Sequence, residues 1–467
     1  MPHPLIESLP PASDRGDFAR VQELVAASGR KLVVLDDDPT GTQTVHGIPV
    51  LTEWSVGSLA EALREPGPCC YILTNTRALT LPAAEMLNRE VARNLTTASR
   101  ATGRAFTVVS RGDSTLRGHF PGEVDALVAA LGEPVDGTLL IPAFFEGGRY
   151  TLHGVHYVAD GERLMPAGET EFARDATFGY RSSALADWVE EKTGGRVRAA
   201  DVAHIAIETL RATAGAATVC AQLLALPRGR VIAVDAAAYA DLEVFVHGLL
   251  QAEAAGRRYV ARTAAGFVRV RAGLAPRALL TAADIATPTP AGGLIVVGSY
   301  VAKTTEQLEA ALTAPGIAPT EVHVDRLLDP AARAAEIARV AAAAEAAMRA
   351  GRHALLYTSR KLVSAVGRAG ELGPAQTVSS ALVAIVRAIR ERPRFFIAKG
   401  GITSSDLATQ GLGVKKALVL GQAAPGVPVW RLGPESRFPD LAYVVFPGNV
   451  GGPETLRDMI VRLGAAG

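Results

Sequence analysis

The sequence predicts an α/β protein built as two α/β domains, each around a mostly parallel sheet. Three observations predict it. A chain of 467 residues exceeds what one ordinary core holds, which favours two or three domains. Short apolar, β-branched runs alternate with Ala/Leu/Glu-rich stretches of helical spacing, the pattern of β-α-β units. Clusters of polar residues fall just past the apolar runs, where open α/β sheets bind their ligands. With 48% hydrophobic and 20% charged residues, the chain has enough apolar surface to offset its conformational entropy, so disorder is not expected.

Residues 1–30 form a Pro-rich N-terminal extension without the basic start and apolar core of a signal peptide. The first domain is expected over 31–270. It opens with a buried strand at 31–35 (KLVVL), followed by strands at 70–73, 106–109 and 138–141, with helices at 81–95 and 122–131 between them. A segment at 266–274 (GFVRVRAGL) alternates apolar and basic residues and reads as extended. A Pro- and Thr-containing stretch, ATPTPAGG, then marks a linker over 271–293. The second domain, 294–467, starts with a strand at 294–297. An Ala-rich helix at 330–350 stops at Gly351, and a further helix is expected at 377–390. Strands at 354–357, 394–398, 417–420 and 443–446 complete the alternation.

Bulk charge excludes several functions. Lys and Arg number 48 against 47 Asp and Glu, and a net charge of +1 creates no field to hold nucleic acid or an acidic membrane. Cys69, Cys70 and Cys220 offer neither a C-x-x-C pair nor a disulfide framework, which fits a reducing, cytoplasmic setting. No run is long and apolar enough to span a bilayer.

Three polar clusters end strands of the first half. Asp36-Asp37-Asp38-Pro39-Thr40-Gly41 places three mutually repelling carboxylates beside a turn, suited to accepting hydroxyl protons or holding Mg²⁺, or else to capping the turn. Thr74-Asn75-Thr76-Arg77 offers an Arg fork matched to a carboxylate, unless Arg77 is a plain surface residue. Ser110 through Gly118 (SRGDSTLRG) gathers Arg111, Asp113, Ser114 and Thr115 in a Gly-bounded loop able to hold a polyhydroxylated acid. Together the three loops say more than any one.

The second half supplies two Gly-rich turns after strands, Lys399-Gly400-Gly401-Ile402-Thr403 and Pro447-Gly448-Asn449-Val450-Gly451-Gly452-Pro453. Their backbone N–H groups can face an anion, with Pro453 expected to open a helix. Gly298-Ser299-Tyr300 through Thr305 adds a hydroxyl and Lys303, and Thr304 or Thr305 is expected to cap the next helix. There is no G-x-x-x-x-G-K-[ST] loop. His153 and His156 have metal-like spacing but no third ligand in register, and no metal ligand is assigned. Glu146 and Arg149 either line the polar loops or cap a turn.

Taken together, DDDPTG, TNTR, GDSTLRG, GSYVAKTTEQ, KGGITSSD and FPGNVGG, in this order, resemble the four-carbon acid sugar kinase family over nearly the whole chain from Lys31. The resemblance implies a sugar-binding N-terminal and a nucleotide-binding C-terminal domain with the active-site cleft between them. It implies that Asp37, Asp38, Arg77, Arg111, Asp113, Ser114 and Thr115 face the sugar acid, with Asp37, Asp38 and Asp113 as candidates for the base. Ser299, Gly400, Gly401, Ile402, Thr403 and Gly448 would face ATP, used with Mg²⁺. The first motif departs from the family in Asp36, Pro39 and Thr42, and Arg111 stands where a Lys is common, so the particular acid stays open. A homodimer is an assembly the reading allows. The alternative is a haloacid-dehalogenase-like phosphohydrolase, since Asp36-Asp37-Asp38-Pro39-Thr40 also fits D-x-D-x-T with Asp36 as nucleophile.

Overall fold

The computed structural model describes residues 4–12, 15–287, 289–299, 301–360 and 373–465. Two units divide the chain, Met1–Pro276 and Arg277–Gly467.

In the first unit the strands are β1 Lys31–Asp36, β2 Ile48–Leu51, β3 Cys69–Leu73, β4 Phe106–Arg111, β5 Gly137–Ile141, β6 Arg149–Leu152, β7 Val155–Asp160, β8 Arg163–Pro166, β9 Ala203–Ile205, β10 Arg230–Val234 and β11 Tyr259–Thr263. Eight of them pair in the order β2-β3-β1-β4-β11-β5-β10-β9, all parallel. β6, β7 and β8 form a separate antiparallel meander. All six β1 residues are buried, as a central parallel strand covered on both faces requires. Even Lys31 is buried, its ammonium donating to the Glu65 carbonyl at 3.1 Å. The order reverses at β1, because the chain goes to β3 on one side and to β4 on the other. That switch point opens a crevice past the carboxyl ends of β3, β1 and β4.

The second unit holds β12 Leu294–Val297, β13 Ile317–Val322, β14 His353–Thr358, β15 Phe396–Lys399, β16 Lys416–Ala424, β17 Val427–Leu432 and β18 Ala442–Phe446. Their order is β13-β14-β12-β15-β18-β17-β16. The first five run parallel, and β17 is antiparallel to both neighbours. Here the order reverses between β12 and β15.

Several expectations need correcting. GFVRVRAGL is not extended: Ala265–Arg271 is a helix with every residue buried, so its two arginines do not mark a solvent face. Arg271 donates to Glu253 at 2.6 Å, and the Arg269 guanidinium stacks 3.3 Å from the Tyr239 ring centroid. The helix after Arg77 runs through Leu81–Thr102, past the expected end at residue 95. Ala98 continues its buried face, Thr96, Thr97 and Thr102 bond back to carbonyls one turn earlier, and Gly103 stops it in the left-handed region. Residues 1–30 contribute the helix Asp17–Ser28, whose Asp17 meets His247 at 2.6 Å. No helix among the described residues is long and apolar enough to cross a membrane.

Candidate active site

The switch point of the first unit gathers the three polar loops. Backbone bonds stitch them together: Asp37 N–H donates to the Arg111 carbonyl, Thr74 and Asn75 to Asp36, Arg77 to Asp37, and Gly112 to Thr263. Arg77 grips Asp37 with both arms, Nη2 to Oδ1 at 2.6 Å and Nε to Oδ2 at 3.2 Å, and its Nη1 lies 3.4 Å from Asp38 and 3.7 Å from Asp113. Arg111 donates to Asp36 at 3.2 Å and stands 3.6 Å from Asp37. Arg117 Nε donates to Asp113 at 2.8 Å, and the Thr115 hydroxyl donates to the same oxygen. Asp38 also accepts from Thr40 N–H at 2.8 Å, capping the short turn Pro39–Thr42. The expected cap is present, the three carboxylates stand together with arginine between them, and Arg77 is no surface residue.

The aspartates differ in proton affinity. Burial, reinforced by Asp37 and Asp38, pushes Asp36 up to about 8 against the pull of Arg111. Burial also opposes ionisation of Asp113, but Arg117, Arg77 and the Thr115 bond overcome it and hold its carboxyl well below the usual range. Asp38 is lowered as well, burial being outweighed by Arg77, Arg111 and Thr40. Asp36 is closed in: it is 1% exposed, Gly41 packs against its carboxylate and Arg111 donates to it, a setting that does not suit a covalent nucleophile. The phosphohydrolase alternative loses its central residue.

Sequence reasoning did not single out three groups here. Arg117 was read only as part of the motif. Arg262, at the end of β11, donates to the Thr263 and Arg117 carbonyls at 3.3 and 2.9 Å. Gly112 and Gly118 are glycines because of it: a Cβ at 112 would sit 1.6 Å from Arg262 Nη1, and one at 118 would touch both Arg262 and Asp37. Glu123 is buried, accepts from Thr76 and Asn88, and is pushed up by burial and by Asp37. Arg149, expected either to line the polar loops or to cap a turn, begins β6. Arg262 lies 145 residues from Arg117, and no spacing announces it.

His156 is structural. Burial lowers it to about 4, so the neutral ring donates from Nε2 to the Ser114 carbonyl at 2.7 Å while Nδ1 accepts from Thr151 at 3.0 Å. Tyr180 donates to the Thr115 carbonyl at 2.7 Å, so the 113–117 loop is held from two sides. His153 pairs instead with exposed Glu208. Glu146 accepts from Tyr239 at 2.7 Å. No group of three His, Cys, Asp or Glu side chains suited to a metal ion occurs among the described residues.

In the second unit, Ser299, Gly400 and Gly448 converge past β12, β15 and β18. A Cβ on Gly400, whose φ is +116°, would stand 3.0 Å from Ser299 Cβ, and one on Gly448 would stand 3.3 Å from Ser299 Oγ. Thr403 packs beneath Gly298, and the Thr304 hydroxyl lies 3.2 Å from both Ser299 Oγ and the Gly448 carbonyl. Gly401 begins the helix Gly401–Asp406, and Ile402 is exposed. Tyr300 lies outside the described residues. Two expectations fail: the helix Ala302–Ala311 is capped by Val301, leaving Thr304 inside it, and Pro453 precedes the helix Thr455–Gly464 by two residues instead of opening it. Thr304 is taken by the Ser299–Gly448 contact, and Glu454 occupies the cap.

Lys399 and Gln307 carry the second cluster's framework. Lys399 is fully buried over the Phe446 ring and donates to the carbonyls of Pro447 and Gly448, tying one glycine turn to the next. Burial, with Lys303 nearby, lowers its ammonium to about 6. The Gln307 carboxamide donates to the Val450 and Gly452 carbonyls at 3.0 and 2.9 Å.

Comparison with known proteins agrees with this division of labour. Residues 32–271 match the family described as a sugar-binding N-terminal domain, and residues 294–456 match the nucleotide-binding C-terminal domain. Such a pair defines a two-domain protein with a sugar-binding and a nucleotide-binding half. The chain belongs to the four-carbon acid sugar kinase family. It is 29% identical over 322 residues to a D-erythronate kinase of Heliobacterium modesticaldum, covering 66% of each chain. It is 33% identical over 156 residues to a D-threonate kinase of Bordetella bronchiseptica, covering 32% of this chain and 36% of that one. The chain thus spans just under two thirds of the first relative and about a third of the second. Two solved structures share the fold at 18% identity, covering 92% of this chain and 98% of each of theirs. One is a Salmonella typhimurium LT2 protein provisionally described as a tRNA synthase, with a TM-score of 0.66, and the other is Haemophilus influenzae protein HI1011, at 0.60.

Proposed function

We propose that this chain transfers the γ-phosphoryl group of ATP to a hydroxyl of a four-carbon sugar acid of the erythronate or threonate type. The observation that carries the reading is the interleaving of Asp37, Asp38 and Asp113 with Arg77, Arg111 and Arg117 at one switch point. Such a lattice offers hydroxyl acceptors and anion donors together, as a hydroxy acid demands. The names of the two curated relatives support the same substrate class.

In this reading Asp37 takes the proton of the acceptor hydroxyl. Asp38 is engaged as a cap, and Asp113 is so strongly ionised that it serves better as a fixed acceptor orienting the substrate than as a base. Ser114 offers its hydroxyl to the substrate, while Thr115 acts through Asp113. On the other unit Ser299, the Gly400–Thr403 turn and Gly448 hold the phosphates through backbone groups and hydroxyls. Because Asp37 and Asp113 carry arginine on both oxygens and Asp38 carries Arg77 and Thr40, these carboxylates do not fit a bound divalent ion. Mg²⁺ enters with ATP as the second substrate. The three cysteines are free, which suits a cytoplasmic enzyme.

The test is ADP release from MgATP in the presence of D-erythronate, D-threonate, their enantiomers and 3-oxo-tetronates. Release that depends on one of these acids is expected; ATP left intact with all of them would refute the reading.

A further inference from the structure

Charge in the first cluster does not balance locally. Arg77, Arg111 and Arg117 each meet an aspartate at 3.2 Å or less. Arg149 is buried like Arg111, with 7% of its surface exposed, yet among the described residues it makes no ion pair and its Nε has no partner. A guanidinium taken from water without an acceptor is costly, and such a residue persists where a ligand completes it.

The position of Arg149 is fixed. The Phe144 N–H donates to its carbonyl at 3.1 Å, and its own N–H donates to the Phe144 carbonyl at 2.9 Å. Its guanidinium lies 5.7 Å from the Phe172 ring centroid, and that ring also carries Arg117 at 5.1 Å. One aromatic face-pair therefore sets Arg149 beside the Arg117–Asp113 pair. Burial lowers its proton affinity, and the acid it feels most is Asp113. Arg262 also lacks a carboxylate, but two backbone carbonyls and two close glycines occupy its surroundings.

Arg77, expected from the sequence to clamp the substrate's carboxylate, is already spent on Asp37, Asp38 and Asp113. We propose that Arg149 is the carboxylate subsite: its free fork receives the acid group of the substrate, while the aspartates of the strand-end loops receive the hydroxyls. This assignment rests on the kinase reading. It makes Arg149 the residue that separates a sugar acid from the corresponding uncharged polyol.

The experiment compares the wild-type enzyme with Arg149→Met and Arg149→Lys on D-erythronate and D-threonate, and on the neutral polyols erythritol and threitol. Arg149→Met should raise KM for the acid roughly 10- to 100-fold, with KM for ATP unchanged and the preference for acid over polyol largely gone. Arg149→Lys, which keeps charge but not the fork, should fall between. An acid preference retained in Arg149→Met overturns the proposal; should that variant not fold, retention of the full wild-type preference in Arg149→Lys overturns it equally. A wild type that releases no ADP would instead defeat the kinase reading. Arg149 would then be judged by whether D-erythronate or D-threonate raises the wild-type Tm and fails to raise that of the variants.

Discussion

The two strand-end clusters solve opposite electrostatic problems. In the first unit, four aspartates and three arginines crowd one switch point and interlock through direct contacts. In the second, the corresponding position is made of Ser299, Gly400, Gly448 and Thr304, and its buried amine, Lys399, faces backbone carbonyls. A ligand that is mostly neutral hydroxyls needs the protein to supply charge. One that carries a triphosphate needs room and backbone donors instead.

The largest effect should come from the charged side. Asp37→Asn removes the proposed proton acceptor and should lower kcat by roughly 10²- to 10⁴-fold, with ATP affinity measured by calorimetry left intact. Equal loss of ATP binding would break the separation of roles. Gly400→Ala is the mirror experiment. A side chain at φ +116° against Ser299 costs about 1–3 kcal/mol of local strain, and should raise KM for ATP without moving KM for the acid.

Two smaller effects concern protons. Lys399, lowered from 10.5 to about 6, is neutral in the free protein between those values. Phosphate placed beside it restores its charge, so nucleotide binding should take up protons, approaching about one at pH 8 and vanishing below pH 6. Calorimetry in buffers of different ionisation enthalpy reads this directly, and Lys399→Met should lose it. Asp36 behaves conversely. Its folded value is raised, so its contribution to stability is complete below the unfolded value and is lost as pH rises through about 8. Asp36→Asn mimics the protonated form and should flatten the fall in urea midpoint between pH 6 and 9 while sparing turnover. Complete loss of activity would revive the nucleophile reading.

The sequence made the strands and their terminal loops legible because parallel strands are short, apolar and β-branched, and their ends change abruptly to Asp, Arg or Gly. It hid what depends on long-range pairing. Arg262 stands far along the chain from Asp113 and carries no local pattern, and Arg149, though a candidate, showed no sign that it would lack a carboxylate partner. Buried Arg269 and Arg271 made a helix resemble a strand, because both arginines find partners inside. Lys399 was visible as a residue but not as a tie between turns, since its acceptors are carbonyls of a segment almost fifty residues later.

The chain's formal net charge of +1 is a composition count that treats Lys399 as a cation and Asp36 as an anion. At neutral pH the buried amine has lost its proton and the buried carboxyl has kept one. The two corrections cancel in the total, so electrophoretic mobility of the intact chain would reveal neither. They do not cancel locally: one positive charge leaves the second unit and one is gained by the first. The chain carries a hidden polarity that its isoelectric point conceals.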